Sequence, residues 1–366
     1  MATRSLTPGF LSLALLATAA LALPSETEYS KRIWRSGDGL PQNKIQVISQ
    51  TGDGYLWIGT SGGLVRFDGV RFVVFDRSTT PALGDDSILS LCPTRDGSLW
   101  IGTEGGGLVR MKGGAFQAFG TAQGLTNLFV RAIGAGREGQ LWVATDRGIF
   151  RLDAPFAPTP GRLRRLDGPY GAGRGVPILA AQSIYQDRDG VPWIGSTNYG
   201  LYRLEGDQLL TQPSWQALGS VSAILEDPEG GGLLLASESG LRHLRNGQME
   251  PLRASDPASP RALCRDHDGN LWIGTAGYGL VRVGSHGTSV FTEGAGGGTL
   301  PDNGVLSVFE DREQNIWIGT QDGLLRLTPG AVRTVTKRDG LADDDVATVY
   351  EDPGGRLWIG TVHGPL

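Results

Sequence analysis

The chain has 366 residues, 57 of them glycine, with 39% hydrophobic and 19% charged residues. Glycine at roughly twice its average share of about 7% argues against a helical bundle, and the lack of a Gly-X-Y period excludes collagen. The apolar content, with a net charge of only −5, excludes a disordered chain, and the absence of a basic cluster excludes nucleic acid as the expected partner.

The first 22 residues have the form of a secretory leader. Arg4 supplies a short positive region, Phe10 to Leu23 is a Leu/Ala run, and Ala20-Leu21-Ala22 fits a small-residue cleavage site. The run is short for a bilayer span, which needs about 20 residues. The alternative is an uncleaved anchor. Either places the remainder outside the cytoplasm.

From residue 30 onward one string returns. Leu56-Trp57-Ile58-Gly59-Thr60 reappears around Trp100, Trp142, Trp193, Trp272, Trp317 and Trp358, and in a degenerate form as Leu233-Leu234-Leu235-Ala236-Ser237. Each copy is preceded by a branched apolar residue that opens a short apolar run: Ile45, Ile88, Val130, Val305, Val346. A polar turn then leads into the Trp strand, as in Asp187-Arg188-Asp189-Gly190. A Gly-Leu pair reverses the chain into a third strand ending near Arg66, Arg110, Arg151, Arg203, Arg282 or Arg326. A weaker fourth strand carries an aromatic or branched pair, as in Phe72-Val73-Val74-Phe75.

Four short alternating strands in a repeat of about 40–45 residues predict a β-propeller blade. The expected fold is all-β: a seven-bladed β-propeller of four-stranded antiparallel blades over 30–330, with a partial eighth repeat over 331–366. Two strands could complete blade seven: Lys31-Arg32-Ile33-Trp34 or Arg333-Thr334-Val335-Thr336. An eight-bladed ring ranks third, because the eighth unit lacks its third strand. The cysteines, Cys92 and Cys264, fall on inner strands of blades two and six. A disulfide needs Cα atoms within about 7 Å, so they read as small buried apolar residues.

The string Gly39-Leu40-Pro41-Gln42-Asn43, then Gly54-Tyr55-Leu56-Trp57-Ile58-Gly59-Thr60, then Gly63-Leu64-Val65-Arg66-Phe67-Asp68-Gly69, closely resembles the two-component regulator propeller repeat. The resemblance covers nearly the whole chain after the leader. It implies a periplasmic sensor domain of a bacterial membrane receptor. Such receptors commonly carry two propellers, a β-sandwich, one membrane helix and a histidine kinase, diguanylate cyclase or DNA-binding output. On that pattern the chain corresponds to a truncated receptor, and several members respond to oligosaccharides.

No cofactor or metal is expected. His243, His267, His286 and His363 do not cluster in the sequence. The Asp-x-Asp-Gly strings at Asp187 and Asp266 read as turns, since a calcium loop needs further ligands. Gly171-Ala172-Gly173-Arg174-Gly175 lacks the strand before and helix after it that a phosphate loop requires. The recurrent Arg reads as a structural stripe.

Loops leading into each inner strand share a face with the turns after the Trp strands, and they vary most in length at 76–87, 119–128, 166–178 and 292–304. Variable loops on a rigid ring commonly carry function. The candidate ligand-binding residues there are Asn43, Asp85, Asp86, Asn127, Tyr170, Asn198, Tyr199, Tyr278, Asp302 and Asn303.

The expected function is a non-catalytic periplasmic sensor propeller. Its expected partners are a small-molecule or oligosaccharide ligand and another propeller or a homodimer partner. The membrane enters only through a missing C-terminal part or an uncleaved leader. Two alternatives are an exported propeller enzyme, such as a polysaccharide or lactone lyase, and a structural interaction ring. The enzyme requires a His, Tyr or acid cluster at the central opening.

Overall fold

The computed structural model describes residues 29–363, apart from 138, 154, 156–160, 168–178, 229, 253–258, 286, 295–298, 331–336, 338–339 and 353–355. The expected leader over 1–22, Tyr170, His286, the 171–175 glycine run and the alternative closing segment 333–336 lie outside the described residues. Two compact units are present, and residues 29–330 form the larger.

The larger unit holds seven four-stranded antiparallel sheets. Strand β1 is Tyr29–Trp34. Blade one is β2 (Ile45–Gln50), β3 (Leu56–Thr60), β4 (Gly63–Phe67) and β5 (Phe72–Phe75). Blades two to six repeat this order as β6 (Ile88–Pro93) to β9 (Ala115–Phe119), β10 (Val130–Ala135) to β13 (Leu163–Arg165), β14 (Ala181–Gln186) to β17 (Gln208–Leu210), β18 (Val221–Glu226) to β21 (Gln248–Pro251) and β22 (Pro260–Arg265) to β25 (Gly287–Phe291). Blade seven has β26 (Val305–Glu310), β27 (Ile316–Thr320) and β28 (Gly323–Pro329), with β1 as its outer strand. Neighbouring inner strands touch all the way round, β26 against β2 included, so the ring is closed.

The closing strand is the N-terminal one. Tyr29↔Pro329 through Trp34↔Leu324 pair antiparallel, and Trp34 stacks on Trp317 with centroids 5.5 Å apart. A blade whose strands come from both ends of the ring ties the first blade to the last.

The seams between blades explain the repeated string. The Trp strand is fully buried in every blade. Two residues after the Trp, a Cβ on Gly59 would stand 2.8 Å from Ile88 Cγ2. One on Gly102 would stand 2.6 Å from Val130 Cγ1, on Gly274 2.6 Å from Val305 Cγ1, and on Gly319 2.7 Å from Ile45 Cγ2. Each distance is well inside van der Waals contact. Glycine is therefore the seat for the branched residue that opens the next blade. Where the seat carries a methyl, at Ala144 and Ala236, the next inner strand opens with the smaller Ala181 or with Pro260.

The Trp ring is held in turn by its neighbours. In blades four, six and seven its indole N–H donates to the carboxylate of the preceding turn: Trp193 to Asp187 at 2.7 Å, Trp272 to Asp266 at 2.8 Å, Trp317 to Asp311 at 2.6 Å. In blade one Thr51 Oγ1 takes that place at 2.9 Å. Asp187 and Asp266 also accept backbone N–H groups of their own turns, which is what an Asx turn does. Outer aromatic side chains pack on the same rings: Phe75 on Trp57, Phe119 on Trp100, Phe291 on Trp272, Trp215 on Trp193. The two tryptophans outside the repeated string, Trp34 and Trp215, thus serve as the outer aromatic of blades seven and four. Each recurrent Arg lies directly across from the Trp, and Arg110, Arg282 and Arg326 sit 5.7 Å from the ring centroids. They are structural.

Blade five has no Trp. His243 lies across from Leu234, is buried, and bonds Gly231 O through Nε2 at 2.8 Å, with Asp227 Oδ2 at 3.5 Å. The smaller unit contains a separate hairpin, β29 (Val346–Glu351) and β30 (Leu357–Thr361). Trp358 keeps the local link, donating to Asp352 at 3.3 Å.

Cys92 and Cys264 are free, and burial pushes both thiols up to about 12. Both are expected to resist alkylation in the folded protein at pH 8 and to react fully after unfolding, as read by mass spectrometry. Overfilling a glycine seat, by Gly319→Val, is expected to cost about 1–3 kcal/mol in urea unfolding. Gly52→Ala, where nothing lies within 4 Å, should stay within about 0.5 kcal/mol.

Candidate functional site

The two faces of the ring are built differently. On one face, the turn between first and second strands reaches over the next blade. The backbone N–H groups of Arg137, Arg188, His267 and Arg312 donate to the side-chain oxygens of Gln186, Glu226, Glu310 and Gln50, each at the end of the next inner strand. Gln50 brings the link across the seam between blades seven and one. His267 Nδ1 also meets Glu310 Oε1 at 2.5 Å. This face is a band of inter-blade latches.

The opposite face holds the loops into the inner strands and the turns after the Trp strands. One backbone bond recurs there: Glu104 N to Ser87 O, Thr197 N to Ala180 O, Glu238 N to Ser220 O, Gln321 N to Gly304 O. Most of the sequence-derived candidates lie on this face, but many have their polar atoms engaged. Asp85, Asn127 and Asp302 accept the N–H two residues on. Asp86 accepts Arg77 N at 2.7 Å, and Asn303 accepts Glu293 N at 2.8 Å. Asn43 accepts Ser36 N and donates to Asp322 Oδ1, both at 2.8 Å, bracing the closing seam. These six shape loops. Asn198 is exposed, and Tyr199 and Tyr278 are 45% and 62% exposed. The two tyrosines occupy the same position in the turns of blades four and six, where the backbone N–H of each donates to Ser196 Oγ or Thr275 Oγ1.

Sequence reasoning missed the residues at the centre. In every blade the pairing of the inner strand with the Trp strand slips by one residue, between Ile45 and Val47, Ile88 and Ser90, and so on through Val305 and Ser307. A bulge leaves its extra residue unpaired and re-aims its side chain. The seven extra residues are Gln46, Leu89, Arg131, Gln182, Ser222, Arg261 and Leu306. All seven, with Lys44 and Gln321, line one cavity of about 210 Å³. It is an axial mouth that opens on the loop face. Gln46 donates to Ser87 Oγ at 3.0 Å and Gln182 to Ser220 Oγ at 2.6 Å. Arg131 pairs with Asp146 of the adjoining turn. The signal was available as a position: the residue directly after the one that opens each inner strand.

Other cavities are grooves between neighbouring blades, repeated at blades one/two, three/four and four/five. The arginines of the largest are engaged: Arg151 with Asp153 and Asp207, Arg188 with Glu226, and Arg137 with Arg188 O. Among the described residues no group of three or more His, Cys, Asp or Glu could hold a metal ion. No described helix is long and apolar enough to cross a membrane.

Comparison with known families matches the two component regulator propeller model at residues 39–62, 82–105, 255–277, 299–322 and 340–363. These segments run from the loop before an inner strand to the turn after the Trp strand. They fall in blades one, two, six and seven and in the separate hairpin. No curated protein matches the sequence. Among solved structures, the extracellular domain of BT3049 from B. thetaiotaomicron, described as a hybrid two component system, is 22% identical with a TM-score of 0.72, over 91% of this chain and 47% of that one. The extracellular domain of BT4673 from the same organism, described as a one component system, is 20% identical with a TM-score of 0.68, over 91% and 44%. This chain therefore spans about half the length of each. Virginiamycin B lyase from Staphylococcus aureus is 15% identical with a TM-score of 0.61, over 82% and 99%. At these identities the likeness is one of fold.

The latch face carries a pH test. The hydrogen bond to Glu310 raises the His267 pKa above its ordinary 6.5. A raised folded-state pKa means the stabilisation is fully present below about pH 6.5 and is lost as pH rises through the raised value. The imidazole should titrate by NMR above 6.5 in the wild type, and Glu310→Gln should bring the midpoint back toward it.

Proposed function

The chain carries five recognised two-component regulator propeller repeats, and from that premise we propose that it is an extracytoplasmic ligand-binding sensor propeller. It binds a small polar ligand at the axial mouth. In a receptor of this type it would pass the resulting rearrangement to a histidine kinase or diguanylate cyclase output.

The carrying observation is that the seven bulges of the ring bring one side chain per blade to a single cavity. A site built jointly by all blades reports on their relative positions. Occupancy can therefore bias how the ring packs, which is what an input domain must do. Tyr199 and Tyr278 stand exposed on the same face. Their flat apolar faces and hydroxyl tips suit sugar rings extending from the mouth.

Binding is favoured over turnover by the lining. Among the described residues it holds no histidine, tyrosine or carboxylate, so Lys44 would have no acid–base partner in the lining for the proton transfers of a lyase. Within the ring, His243 stands inside blade five and His267 on the latch face.

Titration against a glycan library with thermal-shift readout tests the reading. A ligand present at about a hundred times its Kd stabilises the native state by about 2.7 kcal/mol, a rise of several degrees. Ser222→Trp, which would fill the mouth and give up the Ser222 Oγ bonds to Ala236 O and Pro260 O, should abolish the response measured from its own starting Tm. A response that survives mouth filling would place the ligand elsewhere.

A further inference from the structure

Taking the axial mouth as the binding site, we infer that it selects a ligand bearing a carboxylate, such as an acidic sugar at the end of a chain. The reasons lie in the charge of the lining. Lys44, Arg131 and Arg261 contribute three cations to one cavity, and no carboxylate lines it. The chain as a whole carries a net −5, so the mouth opposes the sign of the chain's net charge.

The three cations are not equivalent. Arg131 is tied to Asp146, so its charge is matched and its guanidinium fixed. Lys44 and Arg261 are exposed and form no ion pair among the described residues. They stand in blades one and six, on either side of blade seven, which lines the mouth with Leu306 and Gln321. Two unmatched cations flanking the apolar Leu306 fit an anion that also presents a hydrocarbon face. A sugar acid does both, with a carboxylate at one edge and C–H groups on its ring face. An Arg fork binds carboxylate with two parallel N–H groups, and such charge-assisted bonds are the stronger ones. Gln321 and the amide oxygens of Gln46 and Gln182, whose Nε2 groups are held by Ser87 and Ser220, supply neutral polar partners for hydroxyls.

Size narrows the class. Pockets for drug-sized ligands run to about 300–1,000 Å³, and the mouth holds about 210 Å³. One ring fits, not a chain. A longer ligand would place its acidic terminal residue in the mouth and run out across the loop face toward Tyr199 or Tyr278. The neighbouring carboxylates, Glu104 and Glu238, sit in turns outside the lining and would disfavour a second negative charge beyond the first ring. The predicted ligand is therefore acidic at its end and neutral further along.

The test uses the full chain and isothermal titration with galacturonate, glucuronate, galactose and malonate, each at 50 and 300 mM NaCl. The uronates should bind at least about tenfold more tightly than galactose, with affinity falling as salt rises. Lys44→Gln with Arg261→Gln should remove that preference, and Lys44→Glu with Arg261→Glu should reverse it, at unchanged Tm. Malonate binding as tightly as the uronates would support the charge selection and assign the ligand to small acids rather than sugars. Galactose and uronates binding equally, with the charge variants indifferent, would overturn the inference while leaving the mouth a binding site. Loss of all binding only in Ser222→Trp would confirm the site in that case. Binding unaffected by any mouth variant would overturn the site itself and the inference with it.

Discussion

The ring depends on one contact: at five of its seven seams the branched residue that opens a blade sits on the bare Cα of the glycine behind it. Ile88 on Gly59, Val130 on Gly102, Val305 on Gly274 and Ile45 on Gly319 are the same event at four of them. The last of these joins blade seven to blade one, so the contact that stacks the blades also closes them. A protein interior is packed to crystal density, and a seat of this kind has no room for even one methyl unless its partner shrinks. That trade is visible within the chain, where Ala144 faces a strand opening with Ala181. The Trp and its outer aromatic, with a carboxylate acceptor for the indole in blades four, six and seven, hold the strand that carries the seat.

Seating the first residue of the inner strand has a consequence for the second. With the first fixed against the previous blade and the third paired to the Trp strand, the residue between them is left over. It bulges and faces the axis. No glycine seat restricts its identity, although Gln46, Gln182 and Ser222 each bond the next blade, and the seven copies vary: Gln, Leu, Arg, Gln, Ser, Arg, Leu. The scaffold thus separates constrained positions, which repeat, from free ones, which meet at the mouth. The latch face adds rigidity at the other end of the axis.

This separation also sets what the sequence can tell a reader. The blades were legible because Trp57 and its copies, the glycine seats and the turn aspartates all recur in phase. The closing strand was not, because 31–34 and 333–336 carry similar patterns; Trp34, stacking on Trp317, identifies the strand that fills the place. The mouth was illegible for the opposite reason. A position whose residue changes in every blade has no period, and a bulge is a slip in pairing, not a pattern of residue types. The polar loop residues drew attention instead, and six of them use their side chains to cap backbone or brace a seam. Tyr199 and Tyr278 differ from those six in exposure, which composition alone does not give.

The central claim is that seven variable positions form one binding site. Crystals soaked in galacturonate address it most directly. The account predicts difference density for one sugar ring in the axial mouth, its carboxylate within about 3 Å of Lys44 Nζ or the Arg261 guanidinium. Density confined to a groove between two blades, with the mouth holding only solvent, would contradict it.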